Sequence, residues 1–146
     1  MSLNTSLETR IQVMFFDTDA GGVVHNIAYL RFIETARTLL AVQLGMDWEL
    51  MKNSQVYPVV VRTEIDYKRP ALLGDDLIVQ ASLGKATGAR FWCHFKIVRP
   101  QDEAVLVTSQ QSLAFVKMPE QKLMRLAPTF PNPFIPLESF KKFCSR

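Results

Sequence analysis

The sequence predicts an α+β fold in which one antiparallel sheet wraps around one apolar helix. A single long segment repeats its apolar residues at helical spacing, and four segments of strand character follow it. Short gaps rich in Gly, Pro and Asp separate those four segments, as turns do between antiparallel neighbours. The 146 residues suffice for one core. We therefore expect one domain over 1–146, with a proline-rich C-terminal extension from about residue 128.

The first predicted elements are a strand and the long helix. Residues 10–16 alternate with the period of a half-buried strand, which assigns Phe15 to the buried side. Asn26 is a good N-cap for a helix that runs to about Leu44, where Gly45 offers a left-handed stop. This helix is expected to be the centre of the core.

The faces of that helix indicate how much of it is covered. One broad face is almost wholly apolar and carries Tyr29, Phe32, Ile33, Ala36 and Leu40. Ile27, Leu30 and Ala41 extend the apolar surface toward the other side. We therefore expect the helix to be enclosed on most of its circumference.

Four strands are predicted after the helix, at 57–68, 76–85, 90–99 and 104–117. Beyond residue 118 the pattern weakens, and several prolines interrupt any regular element. Residues 137–143 are expected to form one or two terminal helical turns. The order is thus strand, long helix, then an antiparallel meander.

Charge and composition narrow the possible partners. The formal charge of +3 is a mild basic excess, which favours a small anionic ligand over nucleic acid. No signal peptide or apolar segment of membrane-spanning length is found, so no membrane insertion is expected. Cys93 and Cys144 form neither a disulfide framework nor a metal set, and we expect reduced thiols in a cytoplasmic protein.

The most informative segment is 16–29, FDTDAGGVVHNIAY, between the first strand and the helix. It contains two carboxylates, Asp17 and Asp19, then a glycine pair and the helix start. A carboxylate near the first N–H groups of a helix can attack a carbonyl or activate water to do so. The N–H groups then bind the oxygen that becomes negative. We interpret this segment as an active site.

The motif and the order of elements resemble the hotdog-fold 4-hydroxybenzoyl-CoA thioesterase family. Within that family, residues 17–24, Tyr29 and the pair Glu34 and Arg37 are similar to acyl-CoA thioesterases associated with the Tol-Pal system. The resemblance implies an α+β hotdog fold and hydrolysis of acyl-CoA thioesters to a carboxylic acid and CoA. It also implies homodimers whose sheets lie edge to edge, usually paired into homotetramers, with active sites at the dimer interface. CoA is part of the substrate, and neither a cofactor nor a metal is expected.

The resemblance also implies roles for individual residues. The second aspartate of the motif, Asp19, corresponds to the catalytic carboxylate, and the backbone amide of Asn26 polarises the thioester carbonyl. Several relatives have an aromatic residue and then a histidine where this chain has His25 and Asn26. The His25 side chain either assists Asp19 or lines the pocket. Asp17 is expected to be structural and to accept backbone N–H groups of its own turn.

Five further residues are expected to bind substrate. Gly22 lets the substrate approach the backbone, because it lacks a Cβ. Tyr29 lies on the apolar helix face, where it either packs in the core or contacts the ligand. Arg62, Lys85 and Arg90 are candidates for the CoA phosphates.

Several alternatives stay open at the level of sequence. Asp19 acts either as a nucleophile that forms an anhydride or as a general base on water. A hotdog dehydratase would use His25 as its base, and a non-catalytic domain would only bind acyl-CoA or serve as an interaction module. A calcium loop, a P-loop and a serine-hydrolase elbow are all excluded by their missing residues. The sequence does not indicate which acyl group is bound.

Overall fold

A computed structural model describes residues 4–132, 134 and 136–142 of the chain. It contains seven strands and two α-helices within those residues. In chain order these are β1 (Ser6–Gln12), α1 (Asn26–Gln43), α2 (Trp48–Ser54), β2 (Val56–Tyr67), β3 (Asp76–Thr87), β4 (Arg90–Arg99), β5 (Ala104–Lys117), β6 (Lys122–Leu126) and β7 (Pro136–Lys142). Neither helix in this described part is long and apolar enough to cross a membrane.

The described strands form one antiparallel sheet, with β5 at its centre. On one side of β5 the order is β4, β3 and β1, and on the other side lies β2. Strand β6 pairs with the last residues of β5, and β7 pairs with β6. Within the described residues β2 pairs with β5 alone, so it is an edge strand. The predicted α+β arrangement is confirmed.

Helix α1 packs against one face of the sheet. Phe32, Ile33 and Ala36 at its centre are completely buried. They meet the alternating buried residues of the strands, among them Leu77, Val79, Phe91, Ile97 and Leu113. The period of two in the strands and the apolar stripe of the helix thus produce one core.

The predicted first strand is displaced. Strand β1 ends at Gln12, and Phe15–Asp17 forms a 3-10 turn instead. The prediction for Phe15 is wrong, because its side chain is 79% exposed. The cause is local hydrogen bonding, since the amide of Asp17 donates to the carbonyl of Met14 at 3.0 Å and the Asp17 carboxylate accepts the Met14 amide at 2.9 Å.

The helix boundaries differ from the prediction at the N-terminus. His25, and not Asn26, is the N-cap, because the His25 Nδ1 accepts the Ala28 amide at 3.2 Å. Asn26 is the first helical residue. At the other end Gly45 has φ +101, so the predicted left-handed stop is confirmed. The helix is less enclosed than expected, since Ile27 is 66% exposed and Leu30 is also exposed in the single chain.

Helix α2 was not predicted. Its seven residues are too few to show apolar periodicity, and its Trp48 is exposed. What starts it is a local cap, because the Asp47 carboxylate accepts the Leu50 amide at 2.8 Å.

The C-terminal prediction is wrong over the described residues 136–142. These residues form strand β7 and pair with β6 rather than forming helical turns. Pairing with a strand edge supplied by the fold outweighs the weak local preference. The proline-rich segment before β7 folds back on the core, where Phe130 and Phe134 contact Phe91 at ring-centroid distances of 5.3 and 5.4 Å.

Cys93 is a free thiol inside the core. Burial raises the pKa of Cys93 to about 12, although the nearby guanidinium of Arg37 acts in the opposite direction. The thiol is therefore neutral at physiological pH and behaves as a small apolar group. Cys144 lies outside the described residues.

The packing of α1 yields a stability prediction. Phe32→Ala should lower the free energy of unfolding by about 3–5 kcal/mol, because it leaves a cavity where relaxation is limited. Thr35→Ala on the same helix is the matched control and should stay within about 0.5 kcal/mol of the parent. Denaturant unfolding measures both. Similar losses for the two variants would contradict the assigned orientation of the helix.

Candidate active site

Asp19 lies on a small hairpin that leads directly into α1. Thr18 pairs with Val24, and the Asp19 amide donates to the carbonyl of Val23 at 3.0 Å. The Gly22 amide donates to the carbonyl of Asp19 at 3.1 Å and closes the turn. Gly22 has φ +71, a conformation that favours glycine. The hairpin therefore brings Asp19 back toward the residues that precede the helix.

The carboxylate of Asp19 is exposed and only partly engaged. Its Oδ1 accepts the amide of Gly21 at 3.1 Å. Among the described residues no basic side chain forms an ion pair with it. Its second oxygen is thus free to act on a substrate or on water.

Asp17, in contrast, is 2% exposed and fully used by the fold. Its carboxylate accepts a hydrogen bond from the Met14 amide and forms an ion pair with Arg31. Its carbonyl accepts the His25 amide at 3.1 Å. These bonds connect the 3-10 turn to the N-cap of α1 and to the second turn of that helix. The predicted structural role of Asp17 is confirmed.

The start of α1 presents two free amides. Asn26 and Ile27 have no acceptor for their backbone N–H groups among the described residues, while the Ala28 amide is taken by His25. The unpaired amides at the N-terminus of a helix together carry a partial positive charge of roughly half an elementary charge. They are suited to binding a carbonyl oxygen that becomes negative.

The cap defines the chemistry of His25. Because Nδ1 accepts a hydrogen bond, the proton of the neutral ring is on Nε2. The ring therefore has no lone pair free to act as a base while it caps the helix. It is also not among the residues that line the cleft beside the helix start.

That cleft has a volume of about 310 Å³ and lies between α1 and the end of β2. It is lined by Val24, Asn26, Tyr29, Tyr67, Lys68, Arg69 and Pro70. The Tyr67 hydroxyl donates to the carbonyl of Asn26 at 3.2 Å, and the Tyr67 ring contacts Tyr29 at 5.6 Å. Asp19 and Gly22 do not line this cleft, although they lie on the hairpin that precedes it.

Tyr29 forms part of the cleft wall and is 3% exposed. Its hydroxyl accepts the amide of Ala71 at 2.9 Å. Burial raises the pKa of Tyr29, so the hydroxyl stays neutral. It packs in the core and touches the cleft at the same time.

The three cations predicted for the CoA phosphates lie elsewhere in the chain. Arg62 pairs with Glu64 at 2.7 Å, and the Lys85 ammonium lies 5.4 Å from the centre of the Trp92 ring. Arg90 is opposite Ala114, which is opposite Val59 on β2. From Val59 to Tyr67 the strand extends roughly 26 Å at about 3.3 Å per residue. One chain does not bring Arg90 to the cleft.

The structure instead indicates residues that the sequence analysis missed. Tyr67, Lys68 and Arg69 follow one another at the end of β2 and all line the cleft. A sequence signal was present, because an adjacent basic pair precedes Pro70 at the end of a predicted strand. It was not connected to the helix start, since that contact is between residues far apart in sequence.

The hairpin is held by the segment 70–75. The Val24 amide donates to the carbonyl of Ala71 at 2.9 Å, and the Leu73 amide donates to the carbonyl of Gly22 at 2.9 Å. These bonds involve main-chain atoms only. The position of Asp19 therefore depends on the position of this segment.

Arg99 in turn fixes the segment 70–75. Its Nη1 donates to Asp75 Oδ2 at 2.9 Å and to the carbonyl of Pro70 at 3.3 Å. Asp75 Oδ2 also accepts the Leu72 amide at 2.9 Å. Hydrogen bonds to Asp102 and Asp75 raise the pKa of Arg99 above its usual range, so its charge is permanent. Arg99 thus supports the hairpin indirectly, through the segment 70–75.

The arrangement combines one free carboxylate with one pair of free amides. That set can attack or hydrate a carbonyl and stabilise the oxyanion that forms. In the described part of the chain no group of three or more His, Cys, Asp or Glu residues lies close enough to hold a metal ion.

Comparison with known protein families matches residues 13–135 to the family model described as the thioesterase-like superfamily. The chain belongs to the thioesterase-like superfamily. Among its relatives, the acyl-CoA thioesterase YbgC of Haemophilus influenzae is 34% identical over 98 residues, 66% of this chain and 72% of the relative. The 1,4-dihydroxy-2-naphthoyl-CoA hydrolase of Synechocystis is 28% identical over 113 residues, 76% of this chain and 81% of that one.

Solved structures agree with this thioesterase membership. A probable thioesterase from Bartonella henselae superimposes with a TM-score of 0.77 at 28% identity, covering 84% of this chain and 99% of that one. The hotdog fold and the resemblance to the acyl-CoA thioesterases are therefore confirmed.

The role of Arg99 can be tested without an activity assay. Arg99→Gln removes the ion pair with Asp75. The amides of Val24 and Leu73 should then exchange faster, because their free energy of protection falls by about 1–3 kcal/mol. Arg10→Gln on exposed β1 is the control and should leave both amides unchanged. Hydrogen exchange resolved by NMR measures the difference. Unchanged protection in Arg99→Gln would contradict the proposed support.

Proposed function

We propose that this thioesterase-superfamily chain hydrolyses acyl-CoA thioesters to a carboxylic acid and CoA. The observation that carries the proposal is the pair of free amides at Asn26 and Ile27, which follow the hairpin that presents the Asp19 carboxylate. The names of its relatives, acyl-CoA thioesterase and 1,4-dihydroxy-2-naphthoyl-CoA hydrolase, support the same chemistry.

In this mechanism the amide of Asn26 binds the thioester oxygen as it becomes negative. A donor of this kind contributes roughly 2.7–4 kcal/mol of transition-state stabilisation in comparable sites. The leaving group is a thiolate, and since a thiol has a pKa of about 8.5, its departure needs little help from an acid. The protein must therefore supply only a carboxylate and an oxyanion site.

Asp19 has two possible roles in that reaction. As a nucleophile, its free oxygen forms a mixed anhydride with the acyl group, CoA leaves as the thiolate, and water then cleaves the anhydride. As a general base, it takes a proton from water, which attacks the carbonyl directly. Label in the Asp19 carboxylate after a single turnover in ¹⁸O-labelled water would identify the anhydride route, because it enters there only when water attacks the Asp19 carbonyl carbon of the anhydride.

The dehydratase alternative receives less support from the geometry. It needs a histidine base beside the substrate carbonyl, and the only suitable histidine is His25. Its Nδ1 is committed to the Ala28 amide, and the ring does not line the cleft. The binding-only alternative differs from hydrolysis in activity alone, so the same assay tests it.

The proposed assembly is a homodimer through β2, paired further into a homotetramer. Two edge strands that pair antiparallel would place the Val59 end of one β2 beside the Tyr67 end of the other. Arg62, Lys85 and Arg90 of a second copy would then approach the cleft of the first. The exposed apolar side chains of Phe16 and Ile27 are consistent with a covered surface near the helix start.

A panel of acyl-CoA substrates tests the function. We expect release of free thiol from at least one short, long or aromatic acyl-CoA, and Asp19→Asn should lower kcat by roughly 10²–10⁴-fold. Glu120→Gln is the matched control, because Glu120 is an exposed carboxylate on the turn between β5 and β6, away from the proposed site, and it should keep parental activity. Silence of the parent across the panel would favour the binding-only alternative. Equal hydrolysis by the parent and Asp19→Asn would overturn the assigned role of Asp19.

A pair of substitutions separates capping from catalysis at His25. His25→Asn keeps a side-chain cap and should keep most of the activity, while His25→Ala should lose about 0.5–2 kcal/mol of stability with the cap. Thermal unfolding and kcat are measured for both. If His25→Asn were as inactive as Asp19→Asn, the imidazole would have a chemical role and the capping assignment would be insufficient.

The assembly has its own measurement. Light scattering after size-exclusion chromatography should give two or four times the chain mass of 16.6 kDa. Activity should fall on dilution in parallel with any dissociation, because in the proposed dimer the second copy covers the surface beside the cleft. A fully active monomer would contradict the assembly without affecting the proposed reaction.

A further inference from the structure

We propose that Lys68 and Arg69 bind the phosphate groups of the CoA portion of the substrate at the mouth of the cleft. This inference rests on the proposed acyl-CoA hydrolysis and adds a binding site within the same chain. It differs from the earlier assignment, which gave the phosphates to Arg62, Lys85 and Arg90.

The two cations lie at the cleft that begins at the helix start. Lys68 and Arg69 line the same cleft as Asn26, whose amide is the proposed oxyanion donor. Their backbone amides both donate to the carbonyl of Leu106, at 2.8 and 3.1 Å, so the main chain that carries them is fixed to β5. One cleft therefore has a site for the thioester carbonyl and two cations along its wall.

The charges of Lys68 and Arg69 are available to a ligand. Arg31 and Arg99, which support the neighbouring loops, are bound by Asp17 and by Asp75 with Asp102, so neither is free for a ligand. Lys68 and Arg69 are exposed, and neither forms an ion pair with any described carboxylate. Their charge is not neutralised within the part of the chain that the structure describes.

The local acidic residue does not cancel this charge. Asp66 precedes Tyr67 on β2, but it is not among the residues that line the cleft. It lines a separate groove with Glu64 and His94. The cleft lining thus contains two cations and no carboxylate.

The chemistry of the two side chains fits a phosphate-bearing ligand. An arginine guanidinium binds phosphate through two parallel N–H groups, and a lysine ammonium adds a mobile point charge. In an acyl-CoA the phosphates lie at the far end of a flexible arm from the thioester. A ligand whose carbonyl is at Asn26 can therefore extend along the cleft wall and place its phosphates near Lys68 and Arg69.

Binding of CoA and of pantetheine, which lacks the phosphates, tests the proposal without requiring turnover. Isothermal titration should show that the parent binds CoA more tightly than pantetheine. The double variant Lys68→Gln/Arg69→Gln should weaken CoA binding about tenfold or more and leave pantetheine binding unchanged. The control Lys52→Gln/Lys96→Gln removes the same number of exposed charges from other surfaces and should bind both ligands as the parent does.

Kinetics distinguish this inference from the proposed function. With the acyl-CoA that the parent hydrolyses fastest, the double variant should raise KM about tenfold with kcat nearly unchanged. With the same acyl group on N-acetylcysteamine, which has no phosphate, parent and variant should be equal. Unchanged CoA binding, or equal weakening of CoA and pantetheine, would overturn the phosphate site. A parent that binds CoA through these residues but hydrolyses nothing would overturn only the proposed reaction.

Discussion

The site depends on one constraint, which is that one face of α1 is buried along the length of the helix while its first amides are free of acceptors among the described residues. Burial of Phe32, Ile33 and Ala36 fixes the axis of the helix against the sheet. Because the core holds that axis, the amides of Asn26 and Ile27 point in a constant direction, although no acceptor within the described part of the chain holds them. His25 satisfies only the third amide. An oxyanion site of this kind needs no reorganisation when charge develops, which is the property that makes such sites effective.

The carboxylate is positioned less directly than the amides. Asp19 is on an exposed hairpin with no core of its own, and its place is set through Gly22, Val24 and the segment 70–75. Arg99 and Asp75 then connect that segment to the sheet. Displacements of about 1 Å at a reacting group can lower a rate a hundredfold, so in the proposed reaction these supporting bonds would affect the rate without contacting the substrate.

The sequence predicted the features that periodicity controls. Helix α1 and strands β4 and β5 follow from apolar spacing, and the motif at 17–26 led to the family. The predictions for Phe15 and for the N-cap of α1 were wrong, because side-chain hydrogen bonds of Asp17 and His25 hold the local backbone in a different conformation. The helical prediction for the residues of β7 was wrong, because they pair with β6. The cleft was not predicted because Tyr29 and Tyr67 become neighbours only after the sheet has formed.

The main-chain bonds between the hairpin and the segment 70–75 have a consequence for evolution. Since Ala71 and Leu73 hold the hairpin through backbone atoms, their side chains are not part of the restraint. Leu72 and Leu73 are half exposed beside the site. Mutational drift at these two positions can therefore alter the surface next to the helix start without moving Asp19.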